Sequence, residues 1–296
     1  MIDLAPLFGN PADSSHEKLT FRVFPRTGTA RWLLEARFHS PWHLKTWPRA
    51  NLRARIILWS AWMLSRMGIH LPSRLERFPV VQTSAYATLR AEFDHLGIFL
   101  GTPGPNRKFV VYAARPGRSV FVKIPIAPAS GALVRNETEA LTALSSVPVL
   151  ATMIPTSSTV AGHLAVEDIE THGVQYGPLS LREIVRFCDL LEARSHFMRP
   201  LHALRDDWER APAGALARHD TATTAQIAAT RDAARRYLDH LPEHLPVACY
   251  YAHGDFTLWN VLRAADGSAR VIDWEMFGPK PVRFDLIHYH VSQDIL

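Results

Sequence analysis

Four polar residues near the end of the chain have the types and the spacing for proton and metal chemistry. His253, Asp255 and Asn260 lie in the segment HGDFTLWN, and Asp273 follows in the segment VIDWE. Apolar runs flank both segments, which predicts strands or packed helix ends that display polar side chains at their turns. A carboxylate in such a loop can accept the proton of an attacking hydroxyl, and a histidine can tie the loop to nearby backbone groups.

The two aspartates favour a bound cation if both face one site. Two neighbouring carboxylates repel each other, and a cation between or beside them removes that cost. Mg²⁺ prefers oxygen ligands and commonly bridges a protein to the phosphate groups of its substrate. Asn260 offers a neutral amide oxygen from the same loop as Asp255. We therefore expect Asn260 and Asp273 to hold Mg²⁺ and Asp255 to act as a base, with His253 in a structural role.

Short β-rich and helical segments upstream must position this loop. The runs GIFLG, KFVVYAA and SVFVKIPI are separated by the turns TPGPNR and RPGR, which predicts an antiparallel meander. The segment GALVRNETEALTALSSV has apolar residues at helical spacing and predicts a helix. PVLATMIP and GHLAVEDI predict two further strands. The sequence beyond residue 178 predicts several helices, with Ser180 and Thr171 as candidate caps.

The segment HGDFTLWNVL, followed by VIDWE, resembles the signature of the aminoglycoside phosphotransferase and choline kinase group, which shares the protein-kinase-like fold. Asn260 follows Asp255 by five positions, as in the catalytic loop of kinases. Asp273 corresponds to the metal-binding aspartate that protein kinases place before Phe-Gly. Gly254, where protein kinases carry arginine, and Trp-Glu in place of Phe-Gly are similar to the small-molecule branch.

The resemblance implies roles for residues outside the loop as well. A kinase-like fold needs a strand lysine on the α- and β-phosphates of ATP, paired with a helix glutamate. Lys123 in SVFVKIP and Glu137 in VRNETEALTAL fit these positions, with Glu139 as the alternative partner. The turn GTPGPNRK corresponds to the loop that covers the phosphates, although it keeps only Gly101 and Gly104 of a glycine-rich pattern.

The resemblance also implies a fold and a division of the chain. The implied fold is α+β and protein-kinase-like, with a small antiparallel β-rich N-terminal lobe, a helical C-terminal lobe and a preceding extension. We expect residues 1–90 to form the basic extension, residues 91–170 the nucleotide-binding lobe and residues 171–296 the helical lobe. The connector LAVEDI corresponds to the hinge whose backbone contacts adenine, at Glu167 to Ile169. The resemblance covers about residues 96–290.

Composition argues against several classes of protein. The chain of 296 residues is 47% hydrophobic and 21% charged, which is ordinary for a globular protein. Its two cysteines, Cys188 and Cys249, make neither a disulfide framework nor a Cys-x-x-Cys zinc motif, which favours the reducing cytoplasm. Residues 1–77 carry 12 Lys and Arg against 5 Asp and Glu, so the basic charge is local. We expect no nucleic-acid partner, because no binding motif accompanies this charge.

The most apolar stretch of the chain, Ile56–Leu64, lies in this basic segment. It is far shorter than the roughly 20 residues that span a bilayer, and the start of the chain lacks the pattern of a secretory signal. Three interpretations remain open for the predicted helix. It can pack as ordinary core, it can lie on a membrane surface through its tryptophans and flanking arginines, or it can bind a partner. We favour packing; the second interpretation allows a weak peripheral membrane contact.

The resemblance implies an enzyme that uses ATP and Mg²⁺. We expect it to transfer the γ-phosphoryl group to a hydroxyl of a small molecule, such as a sugar, an amino alcohol or an aminoglycoside-like compound. One alternative is an inactive kinase-like protein that only binds nucleotide or serves as a scaffold. A protein kinase is a further alternative, but the stretch between DWE and RFDL is too short for a peptide-binding activation segment. The sequence does not predict an oligomeric state.

Overall fold

The chain forms two compact units. The computed structural model describes residues 3–10, 12, 15–46, 52–69, 71–104, 106–172, 175–176, 179–210, 221–264 and 266–293. The first unit comprises Met1–Leu179 and Thr257–Met276, and the second comprises Ser180–Phe256 and Phe277–Leu296. The chain therefore returns to the first unit for the segment that contains Asn260 and Asp273.

The described chain contains both strands and helices. The strands are β1 His16–Phe24, β2 Trp32–Glu35, β3 Arg74–Val81, β4 His95–Phe99, β5 Lys108–Arg115, β6 Arg118–Pro125, β7 Ser157–Val160, β8 His163–Glu167, β9 Gln175–Tyr176, β10 Phe197–Pro200, β11 Pro246–Ala252, β12 Val261–Arg263, β13 Ala269–Val271 and β14 Gly278–Pro281. The α-helices are α1 Ala5–Phe8, α2 Leu52–Arg66, α3 Ala85–Glu92, α4 Pro128–Ser145, α5 Pro148–Ala151, α6 Leu181–Ser195, α7 Leu201–Arg210, α8 Thr221–Leu238 and α9 Phe284–Gln293. Short 3₁₀ helices cover Trp42–Thr46, Ile169–His172 and Trp274–Met276. Within the described residues, none of the helices is both long and apolar enough to cross a membrane.

An antiparallel sheet dominates the first unit, with the strand order β3-β1-β2-β4-β5-β6-β8-β7. The predicted meander is confirmed as β4, β5 and β6. Strands β1 to β3 come from the N-terminal segment, and β2 joins the meander through the pair Leu33↔Ile98. Phe21 of β1 and Phe109 of β5 are both fully buried in one core. The residues before position 90 therefore contribute strands and core to the same sheet as the meander.

The segment PVLATMIP forms no strand, and that prediction was wrong. Pro148 opens the short helix α5, because its fixed φ suits the first turn of a helix. The edge strand is β7 instead, whose Ser157, Ser158 and Thr159 are exposed. An edge strand pairs on one side only and needs little burial. The polar sequence of β7 therefore lacks the alternation of apolar and polar residues that predicts a strand. The second predicted strand, GHLAVEDI, is confirmed as β8, and the predicted helix before PVLATMIP is confirmed as α4.

The second unit holds an antiparallel sheet of β10, β11 and β14 and the helices α6 to α9. The predicted cap at Ser180 is confirmed, since its hydroxyl accepts from the backbone N–H of Glu183 and its own N–H donates to the Glu183 carboxylate. On the buried face of α6, Phe187 stacks on Phe256 with ring centroids 4.8 Å apart. Phe256 follows Asp255 directly, so this packing anchors the predicted catalytic loop.

His43 is a buried histidine whose protonation opposes folding. It lies in the 3₁₀ helix Trp42–Thr46, is 2% exposed and stacks on Phe24 with ring centroids 4.2 Å apart. Among the described residues, neither of its ring nitrogens has a hydrogen-bond partner. Burial lowers the pKa of His43 to about 3. The folded chain therefore keeps this ring neutral, whereas the unfolded chain protonates it near pH 6.5.

Acid is expected to destabilise the fold through His43. As the pH falls from about 6.5 to about 3, the unfolded chain binds a proton that the folded chain does not. The free energy of unfolding should therefore fall by up to about 1.4 kcal/mol for each unit by which the pH is lowered in this window. Above about pH 6.5 the ring is neutral in both states, and His43 no longer makes the stability depend on pH. Urea unfolding at several pH values would measure this slope.

The His43→Phe variant should lose this part of the slope, and His290→Gln, at an exposed histidine, should keep it. Equal slopes in all three proteins would show that His43 does not carry the effect.

Candidate active site

Lys123 and Glu137 form a buried ion pair in the first unit. Lys123 lies on the interior strand β6, opposite Val110 of β5, and its Nζ is 2.7 and 2.6 Å from the two carboxylate oxygens of Glu137. Lys123 is 8% exposed and Glu137 is 1% exposed. Glu137 lies on the buried face of α4, and Glu139 is exposed. The structure therefore brings together the first of the two predicted partners.

Asp273 adds a second carboxylate to the same lysine. Its Oδ1 is 2.7 Å from Nζ of Lys123. The predicted hairpin is confirmed as β12 and β13, and Asp273 lies two residues after β13 ends. The N–H of Ile272 donates to the carbonyl of Asn260 at 2.9 Å, which holds Asn260 next to the end of the hairpin. Asp273 has a φ of +66°, a conformation uncommon outside glycine that Asp and Asn tolerate better than other residues.

Glu275 completes a cluster of three carboxylates. One oxygen from each of Glu137, Asp273 and Glu275 lies within 4.8 Å of the others. Lys123 contacts the first two, and Lys108, at the start of β5, pairs with Glu275. Two positive charges thus face three negative charges in this cluster. The excess negative charge and the oxygen donors suit a divalent cation such as Mg²⁺, so the residues present fit the predicted metal.

The carboxylates keep Lys123 charged. Burial by itself would lower the pKa of Lys123, but Asp273, Glu137 and Glu275 outweigh it and raise the pKa well above its ordinary value. Burial raises the pKa of Glu137, and the charge of Lys123 opposes that rise. Because Lys123 remains protonated at neutral pH, it can attract the phosphate groups of a nucleotide.

Glu275 was missed in the sequence analysis. The signal was present in VIDWE, where an acidic residue follows Asp273 by two positions. The short 3₁₀ helix Trp274–Met276 turns this residue back towards the cluster. Trp274 anchors the turn, because it is fully buried and its indole N–H donates to the carbonyl of Val271 at 3.0 Å. The side-chain amide of Asn136 also donates to the carbonyl of Glu275 at 2.8 Å, which ties α4 to the turn.

The predicted phosphate-covering loop connects β4 and β5. Gly101 follows β4 and has a φ of +72°, and a Cβ at this position would lie 2.3 Å from the carbonyl oxygen of Lys108. Gly104 has a φ of +145°. The guanidinium of Arg107 donates to the carbonyl of Leu100 at 2.7 Å, which closes the base of the loop. The two glycines are therefore needed for the backbone path, and their contact with nucleotide remains a prediction.

The predicted hinge lies where β8 ends. The N–H of Glu167 donates to the carbonyl of Thr156, and the N–H of Asp168 donates to the carbonyl of Ser119, both at 3.0 Å. These bonds attach the connector to its neighbours. Ile169 packs on Leu262 in a small apolar cluster of buried residues, which attaches the end of the connector to β12. The role of Glu167 and Ile169 in adenine binding remains a prediction.

Asp255 belongs to the second unit, where a buried carboxylate braces its loop. Asp285 is fully buried and accepts the N–H groups of His253 at 2.8 Å and Gly254 at 3.0 Å. The N–H of Asp255 donates to Nδ1 of His253 at 3.2 Å, so His253 supports the loop backbone as predicted. Gly254 has a φ of +84°, a left-handed conformation that favours glycine.

His288 contacts Asp255 and was also missed in the sequence analysis. Its Nε2 lies 3.2 Å from Oδ1 of Asp255, and both side chains are about one third exposed. His288 is one turn after Asp285 on α9, so the helix that braces the loop also carries a side chain to the carboxylate. In RFDLIHY, Asp285 and His288 are three residues apart and therefore lie on the same side of a helix. This spacing indicates a contact with Asp255 only when α9 is known to pack against the loop.

The sequence model of the phosphotransferase enzyme family matches residues 105–294. The chain belongs to this family. Its resemblance to the aminoglycoside phosphotransferase and choline kinase group is thereby confirmed, and so is the predicted α+β, kinase-like fold class. The match includes Lys123, Glu137, Asp255, Asn260 and Asp273, whereas the N-terminal strands and the glycine loop at 101–104 lie before it.

Solved structures of small-molecule kinases resemble this phosphotransferase family member at low identity. The choline kinase LicA from Streptococcus pneumoniae is 15% identical, with a TM-score of 0.42, over 63% of this chain and 66% of that one. A glucosamine kinase in complex with glucosamine, ADP and inorganic phosphate is 16% identical, with a TM-score of 0.36, over 74% of this chain and 67% of that one. No curated protein matches the chain in sequence.

The Lys123–Glu137 pair is expected to act as one unit in this phosphotransferase. The variants Lys123→Met and Glu137→Gln should each raise the ATP concentration needed for half-maximal turnover by at least about tenfold, because a charge-assisted contact to phosphate is lost or misplaced. The double variant should lose little more than the worse single variant. Steady-state kinetics of the four proteins measure this coupling. Strictly additive losses in the double variant would contradict a functional pair. Glu139→Gln, at the exposed glutamate of α4, is the matched control and should behave like the wild type.

Proposed function

We propose that this phosphotransferase transfers the γ-phosphoryl group of ATP to a hydroxyl group of a small molecule. A sugar, an amino alcohol or an aminoglycoside-like compound is the expected acceptor class. The observation that carries the proposal is the cluster of the buried Lys123 and Glu137 with the partly exposed Asp273, in which a strand lysine contacts a helix carboxylate and a carboxylate that follows a hairpin. Phosphoryl transfer requires mainly positioning and charge neutralisation, and this cluster is built for both.

Each residue of the cluster has a separate task in the proposed reaction. Lys123 holds the α- and β-phosphates, and Glu137 fixes its ammonium group through two short contacts. Asp273 and Asn260 would hold Mg²⁺, and the carboxylate of Glu275, which lies within 4.8 Å of that of Asp273, would offer a further oxygen ligand. Bound Mg²⁺ would neutralise charge on the phosphate oxygens as the γ-phosphoryl group leaves.

Asp255 would act on the acceptor. The acceptor oxygen forms a bond to the γ-phosphorus, the bond from that phosphorus to the β,γ-bridging oxygen breaks, and ADP leaves. The proton of the acceptor hydroxyl passes to the Asp255 carboxylate. The hydrogen bonds to the loop backbone and the contact with His288 hold the Asp255 carboxylate in place before the acceptor binds.

The proposal is tested by measuring ATP consumption in the presence of Mg²⁺ with panels of sugars, amino alcohols and aminoglycosides. Acceptor-dependent formation of ADP by the wild type, absent in Asp255→Asn, is expected for at least one panel. ATP binding without turnover in all three panels would favour an inactive nucleotide-binding protein. Phosphorylation of a protein substrate in place of the small molecules would also overturn the proposal.

A further inference from the structure

One face of α2 exposes large apolar side chains to solvent. Ile56, Trp59, Met63 and, just past the helix end, Met67 are 55%, 66%, 41% and 71% exposed. Their spacing of three, four and four residues places them on one side of the helix; we call these four residues the outer face of α2. Ile57 and Leu64 extend the exposed apolar surface beside it. Large contiguous apolar surfaces usually mark an interaction site.

The opposite face of α2 already packs on neighbouring parts of the first unit. Leu58 and Ala61 are at most 5% exposed and cluster with Leu44. The ring of Trp62 contacts that of Trp42 with centroids 5.1 Å apart. The predicted packing of this helix therefore holds for its inner face. The outer face lies on the other side and is not needed for that packing.

The charge of the surrounding sequence points to the chemistry of the partner. Residues 46–73 contain four arginines, at positions 49, 53, 55 and 66, and no Asp or Glu. A segment with this composition is attracted to a surface that carries many negative charges. The tryptophan side chain suits the boundary between lipid headgroups and acyl chains. A helix of 15 residues is about 22 Å long, enough to lie along that boundary.

We propose that the outer face of α2 docks on an anionic lipid bilayer. Its four apolar side chains enter the headgroup and acyl boundary, and the positive charge of the sequence 46–73 favours a surface of negatively charged lipids. Docking of this kind is reversible and salt-dependent, because a single short helix buries limited apolar area and part of the attraction is electrostatic. It would concentrate the enzyme at a membrane surface and does not depend on the identity of the acceptor.

Vesicle flotation of the full chain tests the proposal. The chain should float with phosphatidylcholine vesicles that contain phosphatidylglycerol, should not float with phosphatidylcholine alone, and should be released by high salt. The double variant Trp59→Gln/Met63→Gln should bind at least about tenfold more weakly, because it removes two large apolar side chains from the interface. The variant Arg53→Gln/Arg55→Gln should lose affinity mainly for the anionic vesicles.

A matched control separates docking from general stickiness. Leu181→Gln/Met198→Gln changes two side chains of the second unit that are 59% and 54% exposed, and it should float like the wild type. All variants should keep the wild-type melting temperature. Failure of the wild type to float, or equal flotation of the Trp59→Gln/Met63→Gln variant, would overturn the proposal. If the wild type is a dimer in solution and does not bind vesicles, and the Trp59→Gln/Met63→Gln variant is a monomer, the outer face of α2 contacts a second copy of the chain instead.

Discussion

Replacing Asp273 with asparagine is expected to reduce Mg²⁺-dependent nucleotide turnover by at least about 100-fold, because a bound cation contributes several kcal/mol to the stabilisation of the transferring phosphoryl group. Asparagine is chosen because it tolerates the left-handed backbone at this position, so the loss cannot be attributed to strain. Lys123 keeps its contact with Glu137 in this variant. Turnover measured over a range of Mg²⁺ concentrations would show whether cation binding is the step that fails.

A neighbouring aspartate provides the control for this experiment. Asp266 lies in the turn between β12 and β13, where its carboxylate accepts from the backbone N–H and the hydroxyl of Ser268. Asp266→Asn removes a charge from the same hairpin without touching the carboxylate cluster, and its turnover should remain near that of the wild type. Wild-type turnover in a well-folded Asp273→Asn variant would exclude the metal-binding role.

Replacing Asp255 with asparagine is expected to separate binding from chemistry. The variant should bind ATP with wild-type affinity but lose transfer by about 10²- to 10⁴-fold, the range for removal of a general base. An amide can keep the contact with His288, so the loop should remain in place. Calorimetric titration with ATP and turnover with the best acceptor measure the two effects separately.

A different outcome would assign another role to Asp255. A large loss of ATP affinity in the Asp255→Asn variant would make this residue a nucleotide ligand or a structural residue. The control is Asp232→Asn on α8, which removes an exposed carboxylate from the same unit and should change neither quantity. Unchanged turnover in Asp255→Asn would remove the proposed base altogether.

The residues of the candidate site were predictable because their signals are local. Asp255 and Asn260 share one loop, and Asp273 ends a hairpin whose Asp-Gly turn is visible in the sequence. Lys123 and Glu137 were assigned through the resemblance to kinases, which requires a lysine on a strand and a glutamate on the following helix. For the loop and the hairpin, the spacing of polar residues between apolar runs was therefore sufficient, whereas the strand lysine and helix glutamate also required the family pattern.

The features that escaped prediction depend on distant contacts. Strand β1 pairs with β3 across more than fifty residues, with His16 opposite Val81, and no local pattern indicates that pairing. The same limit applies to Glu275 and His288, whose neighbours come from other elements. For α2, the sequence is apolar on nearly all sides, so its exposed and packed faces could not be distinguished until Leu58 was seen to contact Leu44.

Phosphorus NMR of the wild type with ATP, Mg²⁺ and the acceptor panels tests the central claim most directly. The account predicts a new phosphomonoester resonance that grows in step with ADP in one panel and is absent in the Asp255→Asn variant. The signal should split by coupling to protons of the acceptor carbon, because the phosphoryl group is bonded to a hydroxyl oxygen. Consumption of ATP to inorganic phosphate alone, or an unchanged spectrum in every panel although ATP binds, would contradict it.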